Sequence, residues 1–264
     1  MKIDVALCQF TPSVGDVGYN ADRVMSCLGS DDADVYIFPE LFLTGYGADY
    51  IHLEKEVVDS LRIISDTCRE MDAAVALGTP HYTDSGVMNG LAFLSPDGNV
   101  WYDKAHLARF GIYAENEFSE GMSPTIGHYH GVGFGLCICY DIFFPEILHG
   151  CSLNGASVNI CMAASAVQSK PFLDKVISAR ALENVTYLAY VNNVGHVDGL
   201  EMHGCSRAMD PFGDEICGCG TSEGMRTFTV DTEVLRDMRS IRRHLEDYRN
   251  DINWLTDRKN MSDV

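Results

Sequence analysis

Apolar and polar positions change period several times along this chain, and each change marks an element. Residues 3–10 form a nearly continuous apolar run, the pattern of a strand covered on both faces. Asn20 reads as the cap of a short helix carrying Val24 and Leu28. The run 35–38 is a second strand that stops at Pro39. Leu53, Val57, Leu61, Ile64 and Cys68 share one stripe of a helix over 53–71, and a strand over 73–78 follows. Segments 89–95 and 100–107 flank Pro96-Asp97-Gly98, turn residues that predict a hairpin.

The remaining chain continues in the same way. A strand is predicted over 132–139, and Pro145 suits the first turn of a short helix. Strand 158–161, helix 172–185 and strand 187–193 come next. Residues 206–209 lead into the turn Asp210-Pro211-Phe212-Gly213, and strands near 214–218 and 226–231 precede a helix over 232–245. Strands outnumber helices, yet the two alternate, which argues for a layered α/β domain with mixed sheets. No repeat or Pro/Gly/Ser-rich linker divides the 264 residues. They read as one domain, 1–264, with polar residues 246–264 as a C-terminal arm or tail.

Charge narrows the partners. The 19 basic against 38 acidic residues give a net charge of −19, which argues against nucleic acid and anionic membrane surfaces. No stretch approaches the roughly 20 apolar residues of a membrane helix. Asp4 inside the first apolar run makes the N-terminus a strand rather than a signal peptide. Most of the ten cysteines lie in apolar runs, as buried free thiols do in a reducing cytoplasm. Cys137 and Cys139, like Cys217 and Cys219, are spaced to share one strand face, closer than zinc sites favour. His128 and His130 have no supporting carboxylate or thiol spacing. No metal is expected.

Three apolar strands end abruptly in a reactive side chain: Phe38-Pro39-Glu40, Tyr102-Asp103-Lys104 and Ile138-Cys139. Functional groups gather at strand ends in α/β folds. A carboxylate, an amine and a thiol there would form a base, an electrostatic donor and a nucleophile. Taken singly, each is more commonly a turn carboxylate, a surface lysine or a core thiol.

Together the three segments resemble the nitrilase, or carbon–nitrogen hydrolase, superfamily. They read Pro39-Glu40-Leu41 with Gly45-Tyr46, Tyr102-Asp103-Lys104-Ala105-His106-Leu107, and Cys139-Tyr140-Asp141-Ile142-Phe143-Phe144-Pro145-Glu146. Further matches run through Gln9, Asn20, Arg180-Ala181-Leu182-Glu183-Asn184, Gly204-Cys205-Ser206 and the closing stretch from Arg242 to Trp254. The resemblance covers about residues 3–254 and implies a four-layer α-β-β-α sandwich with mixed sheets.

The resemblance also implies roles. Cys139 would be the nucleophile, Glu40 the base that takes the thiol proton and later activates water, and Lys104 the group that stabilises charge on the substrate oxygen. A thiol is mostly protonated at neutral pH and needs such help. Tyr140, through its backbone N–H, together with Tyr46 and His106, would serve the oxyanion or the substrate. For His106, a proton shuttle and a hydrogen-bonded packing residue both stay open. Cys137 would lie deeper, in the core. The family's second glutamate is matched by Glu115 after a one-residue deletion before Phe118, leaving Glu117 and Glu120 as rim charges.

Departures bear on the substrate. His149 stands where an arginine is common, and Phe143 stands where many amidases carry another. The carboxylate grip of several carbamoyl-amino-acid hydrolases is not visible near the nucleophile, although a distant Arg109 could substitute. The acyl group is therefore expected to be neutral or weakly polar. His196 and His203 fall near the expected pocket rim. The expected activity is an amidase releasing ammonia and a carboxylic acid through a thioester, with a small-molecule amide, carbamoyl-amine or nitrile as substrate. N-carbamoyl-amine hydrolase and nitrilase are the enzymatic alternatives, and a catalytically silent scaffold with the same fold is the alternative of another class. No cofactor is implied. A homodimer or larger homo-oligomer is, through residues 145–153, 171–185 and 242–264, with Val176, Ala179 and Leu182 as a packing stripe.

Overall fold

The computed structural model describes residues 1–30, 33–109 and 115–249. In chain order its main elements are β1 (Lys2–Gln9), α1 (Val17–Leu28), β2 (Val35–Ile37), α2 (Glu54–Met71), β3 (Ala74–Thr83), β4 (Gly86–Leu94) and β5 (Val100–Asp103). Then come β6 (Thr125–Tyr129), β7 (Val132–Ile138), α3 (Pro145–Leu153), β8 (Ala156–Ala163), α4 (Lys170–Asn184) and β9 (Tyr187–Asn192). The last are β10 (Val194–Val197), β11 (Leu200–His203), β12 (Arg207–Met209), β13 (Glu215–Gly218), β14 (Gly224–Asp231) and α5 (Thr232–Ile241).

Two six-stranded mixed sheets result, in the orders β14-β1-β2-β3-β4-β5 and β13-β12-β9-β8-β7-β6, with β10 and β11 as a separate hairpin. β1, β2 and β3 run parallel, as do β7, β8 and β9. Along β1 the period of two is clean. Ile3, Val5 and Leu7 face the second sheet's Phe134, Leu136 and Ile160, while Ala6 and Cys8 pack with Val17 and Val24 of α1 and Val57 and Ile64 of α2. α3 and α4 cover the second sheet through Ile147, Leu148, Leu173, Ile177 and Ala181. This is the α-β-β-α sandwich. Both faces of each central strand are covered, which is why the strands read as solid apolar runs. Among the described residues, no helix is long and apolar enough to cross a membrane.

Several boundaries differ from the sequence expectation. Asp16, not Asn20, caps α1, accepting from the Tyr19 N–H at 3.0 Å. Asn20 lies inside the helix, where its buried amide ties Ser13 to the Leu43 carbonyl. β5 stops at Asp103, so Lys104 and His106 lie in a loop and share no strand face. β7 stops at Ile138, and Cys139 opens a 3-10 turn with φ of +49°. It therefore no longer shares a strand face with Cys137, which is fully buried. α5 ends at Ile241, short of residue 245. Residues 250–264, which include Trp254 and most of the expected C-terminal arm, lie outside the described residues.

Candidate active site

The parallel strands deliver the site at their C-terminal ends. Glu40 follows β2, Cys139 follows β7 and Ser165 follows β8. Glu40 sits in a tight turn whose next residue, Leu41, has φ of +50°. That turn crosses directly over Gly78, where a Cβ would lie 2.2 Å from the Pro39 carbonyl oxygen and 2.7 Å from the Glu40 Cα. Only glycine allows this approach.

Glu40, Lys104 and Glu115 are almost wholly buried and form one cluster. The Lys104 Nζ donates to Glu40 Oε1 at 2.6 Å and to Glu115 Oε1 at 2.8 Å. Asn89 on β4 donates its amide to the same two oxygens, at 2.8 and 3.0 Å. The outer oxygens are also held: Glu40 Oε2 accepts from the Ala164 N–H at 2.7 Å, and Glu115 Oε2 from the Ala108 N–H at 2.6 Å. The first of these bonds ties the two sheets together beside Cys139. Lys104 is fixed at its backbone by bonds to the Asn89 carbonyl and from the Gly121 N–H.

The electrostatics follow from this packing. Burial alone would lower the Lys104 pKa, but Glu40 and Glu115 hold it well above its ordinary value, so the ammonium persists. Burial raises the Glu115 pKa, with Glu40 adding to the rise and Lys104 opposing it. Burial also pushes the Cys139 thiol well up, and Glu40 adds to this. Lys104 and a hydrogen bond from Ser165 pull the other way. The resting sulfur is therefore a thiol beside a carboxylate–ammonium pair. Its Sγ lies 3.3 Å from the Ser165 Oγ.

The turn at Cys139 has its own support. Asp141 is fully buried and accepts from the Tyr102 hydroxyl at 2.7 Å, the His106 N–H at 2.8 Å, the His106 Nδ1 at 2.9 Å and the Ile138 N–H at 3.2 Å. The last bond spans Cys139 and holds it in the left-handed region, which costs an L-residue about 1–3 kcal/mol. The His106 ring stacks on Phe144 with centroids 3.6 Å apart, and the Tyr140 ring meets Phe144 nearly at right angles, centroids 5.2 Å apart.

A cavity of about 760 Å³ opens over Cys139, with Glu40, Lys104 and Glu115 in its wall. Tyr46, Tyr140, Phe143, Phe172 and Leu200 supply apolar lining. Among the described lining residues, Lys104 is the only cation. The structure thus brings Glu40, Lys104, Cys139, Glu115, Tyr140 and Tyr46 to one cavity. His106 does not line it and braces the turn behind it. Arg109 points to solvent and pairs with Glu120 at 2.8 Å. His149 bonds the Asn184 amide oxygen at 2.9 Å. His196 is exposed, while His203 is buried against Tyr190. His130 pairs with Asp72 on the surface, and no metal-binding cluster exists among the described residues.

Two participants escaped the sequence reading. Asn89 was visible only as an amide inside the apolar strand run 86–94, a position where a polar side chain needs a buried partner. Ser165 had no signal beyond following the apolar run of β8.

A family model for carbon-nitrogen hydrolases matches residues 4–240. An (R)-stereoselective amidase of Pseudomonas sp. is 32% identical over 256 residues, covering 94% of this chain and 92% of that protein. A glutamine-dependent NAD(+) synthetase of Aquifex aeolicus is 29% identical over 242 residues, which span 87% of this chain and 42% of the synthetase. Among solved structures, the CN-hydrolase superfamily protein XC1258 of Xanthomonas campestris, with an arsenic adduct in its active site, superposes with a TM-score of 0.85. That match is 23% identical and covers 94% of this chain and 98% of the other.

Proposed function

The chain belongs to the carbon–nitrogen hydrolase family, and we propose that within it the protein is an amidase whose nucleophile is Cys139. One observation carries the reading: the Cys139 thiol, the Glu40 carboxyl and the Lys104 ammonium line the same cavity, two of them already paired at 2.6 Å. The high thiol pKa calls for a base at the moment of attack, and Glu40 is that base.

The reaction then runs in two halves. Glu40 takes the thiol proton as the sulfur attacks the amide carbon and the C–S bond forms. The charge gathering on the carbonyl oxygen is held by the Lys104 Nζ and the Tyr140 N–H. Collapse breaks the C–N bond, the Glu40 proton passes to the leaving nitrogen, and ammonia departs from a thioester. Glu40 next takes a proton from water, whose oxygen attacks the thioester. The acid leaves and the sulfur regains its proton. Glu115 acts through Lys104, as a positioning residue that keeps the ammonium aimed at the oxygen.

The apolar walls support an amide with a neutral, largely apolar acyl group. The α-carboxylate of glutamine finds no arginine among the described lining residues. Ten unbridged thiols support a reducing, cytoplasmic setting. The outer face of α4, with Ala179 and Leu182 exposed, supports a homo-oligomer; light scattering tests this. Ammonia release from a panel of aliphatic and aromatic amides, carbamoyl-amines, glutamine and nitriles, run beside Cys139→Ala, tests the activity. Preference for apolar amides, lost in the variant, is the expected result. Preference for nitriles or glutamine would replace the reading, and equal release by the variant would end it.

A further inference from the structure

We propose that the cavity over Cys139 contains an aromatic slot, and that Phe143 and Phe172 in it select an amide whose acyl chain carries an aryl ring. The proposal rests on the amidase reading and narrows its substrate to the primary amide of an arylalkanoic acid.

A row of rings leads to the slot. His106 stacks on Phe144, Tyr140 crosses Phe144 at 83°, and Phe143 lies tilted by 52° against Tyr140 with centroids 5.9 Å apart. The row begins behind the turn at Cys139 and ends in the cavity, where Tyr140 and Phe143 both form wall. Phe143 is 37% exposed. Phe172, in the first turn of α4, lines the same cavity and is 66% exposed, with no ring against it among the described residues. Large aromatic side chains act mainly through the area they bury. Two left open in one cavity wall are apolar surface for a ligand to cover.

The slot is built before any ligand arrives. Arg180, a buried residue of α4, donates through Nε to the Ile142 carbonyl at 2.7 Å and through Nη2 to the Phe143 carbonyl at 3.3 Å. These bonds tie the turn carrying Tyr140 and Phe143 to the helix carrying Phe172, which lowers the ordering cost of binding. Leu200, at the start of β11, adds further apolar wall and packs in one cluster with Tyr46 and Ala164. Among the described lining residues, the charged groups Glu40, Lys104 and Glu115 are bonded to one another, so none of them calls for a charge on the acyl chain.

Size and ring geometry then choose the acyl group. The cavity of about 760 Å³ lies in the range that holds drug-sized ligands, and a two-carbon acyl group would leave most of it, and both rings, in water. An alkyl chain would gain burial alone. An aryl ring gains burial and also the offset or edge-to-face contacts that tilted rings favour.

The test compares acetamide, hexanamide, phenylacetamide, 3-phenylpropanamide and 4-phenylbutanamide by kcat/KM for ammonia release. The best aryl amide is expected to exceed hexanamide about tenfold and acetamide more than about a hundredfold. Phe172→Leu and Phe143→Leu keep apolar area but lose the ring. Each is expected to lower kcat/KM for the aryl amides about three- to tenfold and to leave acetamide unchanged. Calorimetric binding of the same amides to Cys139→Ala reads the slot without turnover, and the aryl preference is expected there too. An aryl preference in binding by a protein that releases no ammonia keeps the slot and removes the amidase reading. Ammonia release without an aryl preference, or equal losses for every amide in the two leucine variants, removes the slot alone. Unchanged selectivity in Phe172→Leu, with a changed oligomeric state in light scattering, gives that ring to a second copy of the chain and also overturns the slot. Neither binding nor release removes both.

Discussion

Glu40 and Asp141 are both buried carboxyl groups three residues past a strand end, and they flank the same sulfur in different ways. Asp141 takes its bonds from Tyr102, His106 and the Ile138 N–H, and it does not reach the cavity. Glu40 shares an oxygen with a lysine and lines the cavity. Burial is the same for both, so it does not set them apart. Access to the cavity and a movable charge partner do. A carboxylate saturated by scaffold donors holds a shape. One shared with an ammonium beside a thiol can exchange a proton.

Substitutions can break or sharpen that contrast. The largest effect belongs to the atom between the two carboxyls: Cys139→Ala should lower ammonia release by more than about a thousandfold, measured under saturating amide. Glu40→Gln should come next, with kcat down about 100- to 10,000-fold and circular dichroism unchanged. Asp141→Asn should do the reverse. It should cost about 1–3 kcal/mol of unfolding free energy in a urea titration and reduce kcat much less than Glu40→Gln. Equal kcat losses at the two positions would break the contrast.

The smallest effect concerns His203, buried against Tyr190. In the unfolded chain it takes a proton near its ordinary value of 6.5, but in the fold only near about 4. Between these values the unfolded state binds more protons, so stability should fall as pH drops through the window. His203→Gln should remove that part of the slope in urea titrations at stepped pH. An unchanged slope would show that other groups set it.

The three strand-end residues were readable because an apolar run that stops at Glu, Lys or Cys is a local pattern. Their assembly was not, since spacing alone left each as an ordinary turn, surface or core residue until the resemblance joined them. Apolar Ala105 and Leu107 prolonged the pattern of β5 past its end. What ends the strand there is the burial of Lys104 and the bonds from His106 to Asp141, long-range facts that periodicity cannot carry. The same applies to Cys139, whose φ of +49° removes it from the face it would share with Cys137. β10 and β11 escaped because Gly195, His196, Asp198 and Gly199 interrupt their alternation, and three of the four adopt positive φ. Glu115 was reachable by allowing one deletion. Residues 110–114 just before it, including Tyr113 and Ala114, lie outside the described residues.

The pairing of β1 with β14 over eight residue pairs, from Lys2 opposite Asp231 to Gln9 opposite Gly224, also sets a timetable for synthesis. β1 leaves the ribosome before both of its partners; one edge is completed by β2 soon afterwards, and the other only when residues 224–231 emerge. At about 5–20 residues per second, that edge waits roughly ten to forty seconds. For that time the nascent chain carries an open, apolar strand edge, the kind that recruits other chains. Chaperone demand during translation should therefore fall when β14 emerges, rather than when the residues around the cavity do.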